Sequence, residues 1–267
     1  MSTSTLKTHA KNIRREIVMM IYNAKSSHIG CSLGIVDILV GLYFNVMNID
    51  SKKPQLATRD KFVLSKGHAA AALYATLAQR GFFPKEKLAG YCQNGSYIAG
   101  HVTYGSLPGI EATAGSLGHG LSMGVGMAIA AKANKLKSNV YVLIGDGEFA
   151  EGSIWEAILF AGHHKLDNLI LIIDNNDFQI MGSASKILDL SPFEEKLKSC
   201  KWDTVTVDGH DIKKIISALK KPHPKKPLAV IARTIKGKGV TFMENKPEWH
   251  GAYPTEEQFK LALSELK

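Results

Sequence analysis

Val140-Tyr141-Val142-Leu143-Ile144-Gly145-Asp146-Gly147 and, one helix later, Leu169-Ile170-Leu171-Ile172-Ile173-Asp174-Asn175-Asn176 decide the fold. Each opens with five apolar residues in a row, the pattern of a strand buried on both faces rather than one alternating between core and solvent. Residues 153–163 between them read as a helix. Downstream, residues 204–207 and 228–232 repeat the strand pattern around a helix at 212–219. Upstream, residues 60–65 form a short apolar run that ends at Gly67-His68. Helical spacing runs through Ile13, Ile17, Met20 and Ile21 and through Ile35, Ile38, Leu39 and Leu42. Residues 69–80 are alanine-rich and helical, and Pro84 suits the first turn of another short helix. Further helices are expected over 121–135 and from a Thr255 cap to Leu266. Continuous apolar strands alternating with helices define the class: α/β, a parallel β-sheet with helices on both faces.

The 267 residues carry a net charge of +9, with 45% hydrophobic and 21% charged residues. That is the balance of an ordinary folded protein and excludes a disordered chain. No apolar run approaches the roughly 18 residues of a membrane span. Residues 1–15 are polar and lack the apolar stretch of a secretory signal. Cys31, Cys92 and Cys200 are too few and too scattered for a disulfide framework or a structural zinc site. A cytoplasmic location without a membrane partner is therefore expected. The lysine clusters at 213–214, 220–221 and 225–226, and Lys236 with Lys238, read as solvated surface. Neither zinc-finger spacing nor a basic strand interleaved with aromatics is present, so no nucleic-acid partner is expected.

Ligands of an open parallel sheet bind beyond the carboxyl ends of its strands. Asp146 follows one strand and Asn176 the next, 30 residues on. That is the length of one strand–helix–strand unit, which returns the chain to the same edge of the sheet, so the two can converge. A carboxylate and an amide oxygen, with a backbone carbonyl nearby, are hard ligands suited to Mg²⁺ or Ca²⁺ held together with phosphate oxygens. Gly147 is expected to leave its N–H open to a phosphate, and the following helix N-terminus to add a favourable dipole. A second signal is the stretch 93–120, ten of whose residues are Gly or Ser, since a long glycine-rich loop in a compact domain is usually functional. His28, His68, His101, His119 and His250 all lie in such loops, placed to bind phosphate or carry protons near neutral pH. His9, His163, His164 and His223 read as surface residues.

Gly145-Asp146-Gly147, 27 intervening residues and Asn175-Asn176 together resemble the thiamine diphosphate-binding motif. Glu148, Glu151-Gly152, Trp155-Glu156-Ala157, Ser65-Lys66-Gly67-His68, residues 113–118, Lys236-Gly237-Lys238-Gly239-Val240 and His250-Gly251 resemble transketolase, in order from about Ile13 to the C-terminus. The likeness is to the N-terminal half of that family. It implies one thiamine diphosphate-binding domain over residues 1–267. By resemblance, Asp146, Asn176 and the Phe178 carbonyl hold Mg²⁺ (or Ca²⁺), and Gly147, His68 and His250 contact the diphosphate. Gly115 and Leu117 approach the aminopyrimidine and Ile180 the thiazolium; Ser116, Gly145, Asp146, Glu148 and Asn176 complete the cofactor-binding set. His28, His68, His101 and His250 line the substrate channel as catalytic residues, and Glu151 joins a proton network at the subunit interface.

The resemblance also implies an activity: transfer of a two-carbon ketol unit from a ketose or ketose phosphate to an aldehyde acceptor. In the family a pyrimidine-binding domain in the C-terminal half completes the site. A separate C-terminal subunit is thus expected, in a heterotetramer of two plus two chains built on a homodimer core. The chain departs from the family at Ser27 and Cys31 around His28, at Val102-Thr103 after His101, and at His119. These departures favour an unusual, modified or activated sugar as acceptor. The alternative is a subunit of another thiamine diphosphate enzyme, such as a 2-oxo acid dehydrogenase or a deoxyxylulose phosphate synthase-like protein.

Overall fold

The computed structural model describes residues 1–180 and 182–267. In chain order it runs α1 (Thr3–Ala24), α2 (Ile29–Gly34), α3 (Val36–Gly41), β1 (Lys61–Leu64), α4 (Ala70–Arg80), α5 (His119–Ala133), β2 (Val140–Gly145), α6 (Gly152–His163) and β3 (Leu169–Asn175). It continues with β4 (Phe178–Gln179), β5 (Gly182–Ser183), α7 (Ala184–Ile187), α8 (Phe193–Ser199), β6 (Asp203–Asp208), α9 (Ile212–Leu219), β7 (Leu228–Arg233) and α10 (Glu256–Glu265). Strands β1, β2, β3, β7 and β6 lie side by side in that order, all parallel.

Successive side chains of a strand point to opposite faces. Along β2, Val140, Val142 and Ile144 enter one core, and Tyr141 and Leu143 the other. Helices α1 to α4, α9 and α10 cover one face, and α5, α6 and α8 the other. The unbroken apolar runs of β2 and β3 are what a sheet covered on both sides requires. Helix α1 forms because Ile13, Ile17 and Ile21 recur on one face, where all three are fully buried. Burial of each contributes roughly 1.5–3 kcal/mol. Ser2 caps this helix by accepting the Thr5 N–H, and Lys25 ends it in the left-handed conformation.

The register pairs Gly145 with Asp174, and Asp174 with Ala232. Asp146, Asn176 and Thr234 therefore leave the sheet at one level, beyond its carboxyl ends. The expected strands appear within two residues of their predicted bounds. The helix expected over 35–42 is α3, within one residue at each end; Ile35 separates it from α2, and a π-turn over Leu42–Val46 follows. Pro84 precedes a 3₁₀ turn, Lys85–Gly90, instead of an α-helix. The β4–β5 pair, α7 and α8 were not expected; α8 buries only Leu197 in a charged stretch, too little periodicity to read. No helix among the described residues is long and apolar enough to cross a membrane.

Candidate active site

A cavity of ≈ 550 Å³ opens beyond the carboxyl ends of β1, β2, β3 and β7. Four separate segments each send one histidine into it. His28 comes from the turn between α1 and α2, His68 from the turn after β1, His101 from the glycine-rich loop, and His250 from a 3₁₀ turn, Pro247–His250. His28 is the hub. Its ring centroid lies 5.3 Å from His68, 5.5 Å from His101 and 5.0 Å from His250, and His68 lies 5.4 Å from His250. His28 sits in the left-handed region at φ 74°, and its N–H donates to the His250 carbonyl at 2.8 Å. Ser27 Oγ lies 3.1 Å from His28 Nδ1, and the Cys31 thiol donates to the His28 carbonyl. Both departures around His28 thus touch the residue they flank.

Burial and neighbouring charges keep three of these rings, His28, His68 and His250, neutral. Burial, reinforced by His101, Lys236 and Lys66, pushes His28 down to about 4. Burial and then Lys236 push His250 down to about 4. His68, the most deeply enclosed, is lowered further by burial and by Lys66. Lys236 Nζ lies 3.3 Å from His250 Nδ1. An ammonium only donates, so this contact makes Nδ1 the acceptor and leaves the ring proton of neutral His250 on Nε2.

The other end of the cavity is acidic. Asp146 is 4% exposed and accepts the Gly147 N–H at 2.8 Å and the Asp177 N–H at 2.5 Å. Burial, then the neighbouring Asp174, pushes its carboxyl up to about 6. A buried carboxylate held only by backbone N–H groups is costly unless a cation joins it. Asn176 Oδ1 accepts the Phe178 N–H at 2.9 Å, while its Nδ2 donates to Asp174 at 3.0 Å. Asp146, Asn176 and Phe178 line one wall, and their oxygens form a hard donor set that fits Mg²⁺ or Ca²⁺. Glu148 is buried and accepts from Ser65 Oγ, from the Gly118 N–H at 2.9 Å and from the Gly145 N–H at 3.2 Å. It ties the end of β1, the glycine-rich loop and the Gly-Asp-Gly turn together. Burial raises its carboxyl above the usual range.

Of the remaining predicted site residues, Gly115 and Leu117 line the cavity wall, whereas Ser116 is exposed. Glu151 stands exposed at the rim, and Ile180 is 65% exposed at the mouth. Five expectations need correction. His119 is exposed, bonds through Nδ1 to the Leu117 carbonyl and stays out of the histidine cluster. The Gly147 N–H is not free for a phosphate, because the adjacent Asp146 side chain takes it. The element after that motif is a single 3₁₀ turn, Glu148–Ala150, and α6 begins only at Gly152. Lys236 is not solvated surface: it is 2% exposed and reaches His250. His9 also differs from its surface reading, since it stacks on Phe44 at 4.2 Å and is half-buried.

Lys66, Asp174 and Lys236 were missed as site residues. A usable signal existed for one of them, since Asp174 follows five apolar residues of a buried strand, where a charge needs a partner.

Residues 5–266 match the family model described as transketolase, thiamine diphosphate binding domain. The chain is 41% identical to one of the subunits of the apulose-4-phosphate transketolase of Phocaeicola vulgatus, over 100% of this chain and 95% of that one. It is 42% identical to the 6-deoxy-6-sulfo-D-fructose transketolase subunit SqwG of Clostridium sp., over 97% of this chain and 95% of that one. Among solved structures, the transketolase of Campylobacter jejuni superposes with a TM-score of 0.93 at 33% identity. That match covers 100% of this chain and 43% of the solved one, so the chain spans less than half the length of that relative.

Proposed function

This chain belongs to the transketolase family through its thiamine diphosphate-binding domain, and we propose that it is the N-terminal subunit of a cytoplasmic two-chain transketolase. In this reading residues 1–267 are one diphosphate-binding domain, and a separate subunit with a pyrimidine-binding domain completes the site in a heterotetramer. The names of the two relatives as transketolase subunits support the division into two chains. The observation that carries the reading is the convergence of His28, His68, His101 and His250 on a cavity whose far end is the Asp146–Asn176 pair.

Asp146, Asn176 and the Phe178 carbonyl hold Mg²⁺, and with it the diphosphate. When bound, thiamine diphosphate supplies the thiazolium carbon that attacks the ketose carbonyl and the electron sink for the bond that breaks. The histidines handle protons on the sugar hydroxyls. A neutral imidazole accepts a hydroxyl proton as the donor sugar is cleaved and returns one as the acceptor gains its new hydroxyl. His250, with its ring proton on Nε2, is a donor toward a sugar oxygen in that resting state. Lys236, held beside His250 and 5.8 Å from the Phe178 ring centroid, adds positive charge between the histidines and the cation-binding wall.

The test is reconstitution. Co-purification with a stoichiometric pyrimidine-domain chain, and ketol transfer by the pair but not by either chain alone, is the expected result. Full turnover by this chain alone refutes the two-chain reading.

A second reading concerns the substrate. The relatives at 41% and 42% identity bear the names of enzymes for apulose 4-phosphate and for 6-deoxy-6-sulfo-D-fructose, whereas the human transketolase is 36% identical. With Ser27 and Cys31 set against His28, this supports an unusual, modified or activated sugar as acceptor. Ordinary efficiency with xylulose 5-phosphate and ribose 5-phosphate counts against it.

A further inference from the structure

Asp174 follows the five apolar residues of β3 and is fully buried. One carboxylate oxygen accepts from Lys66 Nζ at 2.5 Å and from Asn176 Nδ2 at 3.0 Å, and the other from Thr234 Oγ1. Its backbone carbonyl accepts the Asp146 N–H at 3.2 Å. One residue therefore ties together the segments that follow β1, β2, β3 and β7. Burial alone would lower Lys66; the Asp174 carboxylate outweighs it, and Lys66 is held above its ordinary value.

The consequence lies in the Asn176 amide. Its two ends differ chemically, and only the oxygen can face a cation. Asp174, an acceptor, takes the NH₂ end; the Phe178 N–H, a donor, takes the oxygen end. Reversing the amide would set oxygen against carboxylate and N–H against N–H. We propose that Asp174 is a positioning residue for the cation: by accepting from Asn176 Nδ2 it commits the Asn176 oxygen to the cavity, while its backbone carbonyl sets the position of Asp146. This rests on the proposed thiamine diphosphate and Mg²⁺ site.

The test separates the acceptor from the charge. In Asp174→Asn the amide oxygen stays toward the two donors, Lys66 Nζ and Asn176 Nδ2, and the NH₂ faces Thr234, whose hydroxyl can turn to accept it; the acceptor for Asn176 is kept. In Asp174→Val that acceptor is lost and the Asn176 amide is free to turn. Thiamine diphosphate is titrated calorimetrically into the full chain, with its co-purified partner where there is one, across a series of Mg²⁺ concentrations. Circular dichroism and a thermal midpoint are recorded for each variant. We expect Asp174→Val to need about 10–100-fold more Mg²⁺ for half-maximal binding, the usual effect of losing a partner that orients a metal ligand. Asp174→Asn should recover most of that loss. A role of the Asp174 charge alone would not be rescued by the amide. The proposal is overturned if Asp174→Val binds within twofold of the unaltered chain, or if the folded Asp174→Asn is no better than Asp174→Val. Should Asp174→Val fail to fold, Lys66→Met with Asp174→Val, which removes both buried charges together, takes its place under the same criteria. Failure of the unaltered chain and partner to bind thiamine diphosphate with Mg²⁺ is a different result, which removes the functional reading itself.

Discussion

Asp146 and the lowered imidazoles answer to pH in opposite senses. His28 and His250 titrate at about 4 in the folded chain and near 6.5 unfolded. Between those values the unfolded state binds more protons, so their contribution to stability is complete above about pH 6.5 and is lost as pH falls toward 4. Asp146 titrates at about 6 folded and about 3.9 unfolded; there the folded state binds more protons, and stability falls as pH rises through that window. Urea unfolding of the cation-free chain at pH 4.5, 5.5 and 6.5 reads the balance. His28→Gln should flatten any rise of the midpoint with pH, and Asp146→Asn should steepen it. An unchanged slope in both variants would mean that neither group is perturbed as described. At this scale the sequence was only partly legible. A glycine beside a histidine marks a loop, but not which way the ring faces, so His119 looked like His68 on paper. Lys236 was hidden for a similar reason: a lysine in a lysine-rich stretch has the same letters whether its ammonium meets solvent or His250.

Among the elements, the turn between β1 and α4 makes a close backbone approach at the site. A Cβ on Gly67 would stand 2.1 Å from the Ala114 carbonyl oxygen. The glycine-rich loop can thus reach the end of β1, bringing His101 and Gly115 to the cavity that His68 enters. At Gly147 a Cβ would meet the Gln179 side chain, with Cγ at 2.6 Å, rather than backbone. Gly67→Ala must push the loop away. Overpacking of this kind costs typically 1–3 kcal/mol, about the scale expected here. The measured outcome should be a lower denaturant midpoint together with weakened cofactor binding. Unchanged binding would show that the 113–118 loop does not depend on this contact. Strand and long-helix positions were legible because burial imposes period and length on them. The break at Ile35, the β4–β5 pair and α8 were not, because tertiary neighbours rather than a local pattern support them.

For the whole molecule, the mouth of the cavity remains apolar and open. Ile180 is 65% exposed and Ile187 52%, both on its lining. Under the two-chain reading the pyrimidine-domain subunit covers this rim. Hydrogen–deuterium exchange should then slow at residues 178–180 and 182–188 when the partner is added, while β2 and β3 stay unchanged. Exchange at the rim that ignores the partner would argue against docking there. The order of residues alone dictates the parallel sheet, because runs of five apolar residues between turns and helices fit best as strands covered on both faces. It also dictates that Asp146 and Asn176 meet, because one strand–helix–strand unit returns to the same sheet edge. Three-dimensional packing was needed to select the four histidines that converge, to bury Lys236, and to gather Lys66, Asn176 and Thr234 around Asp174. Those facts depend on side-chain direction and on contacts between segments up to about two hundred residues apart, and no local periodicity records either.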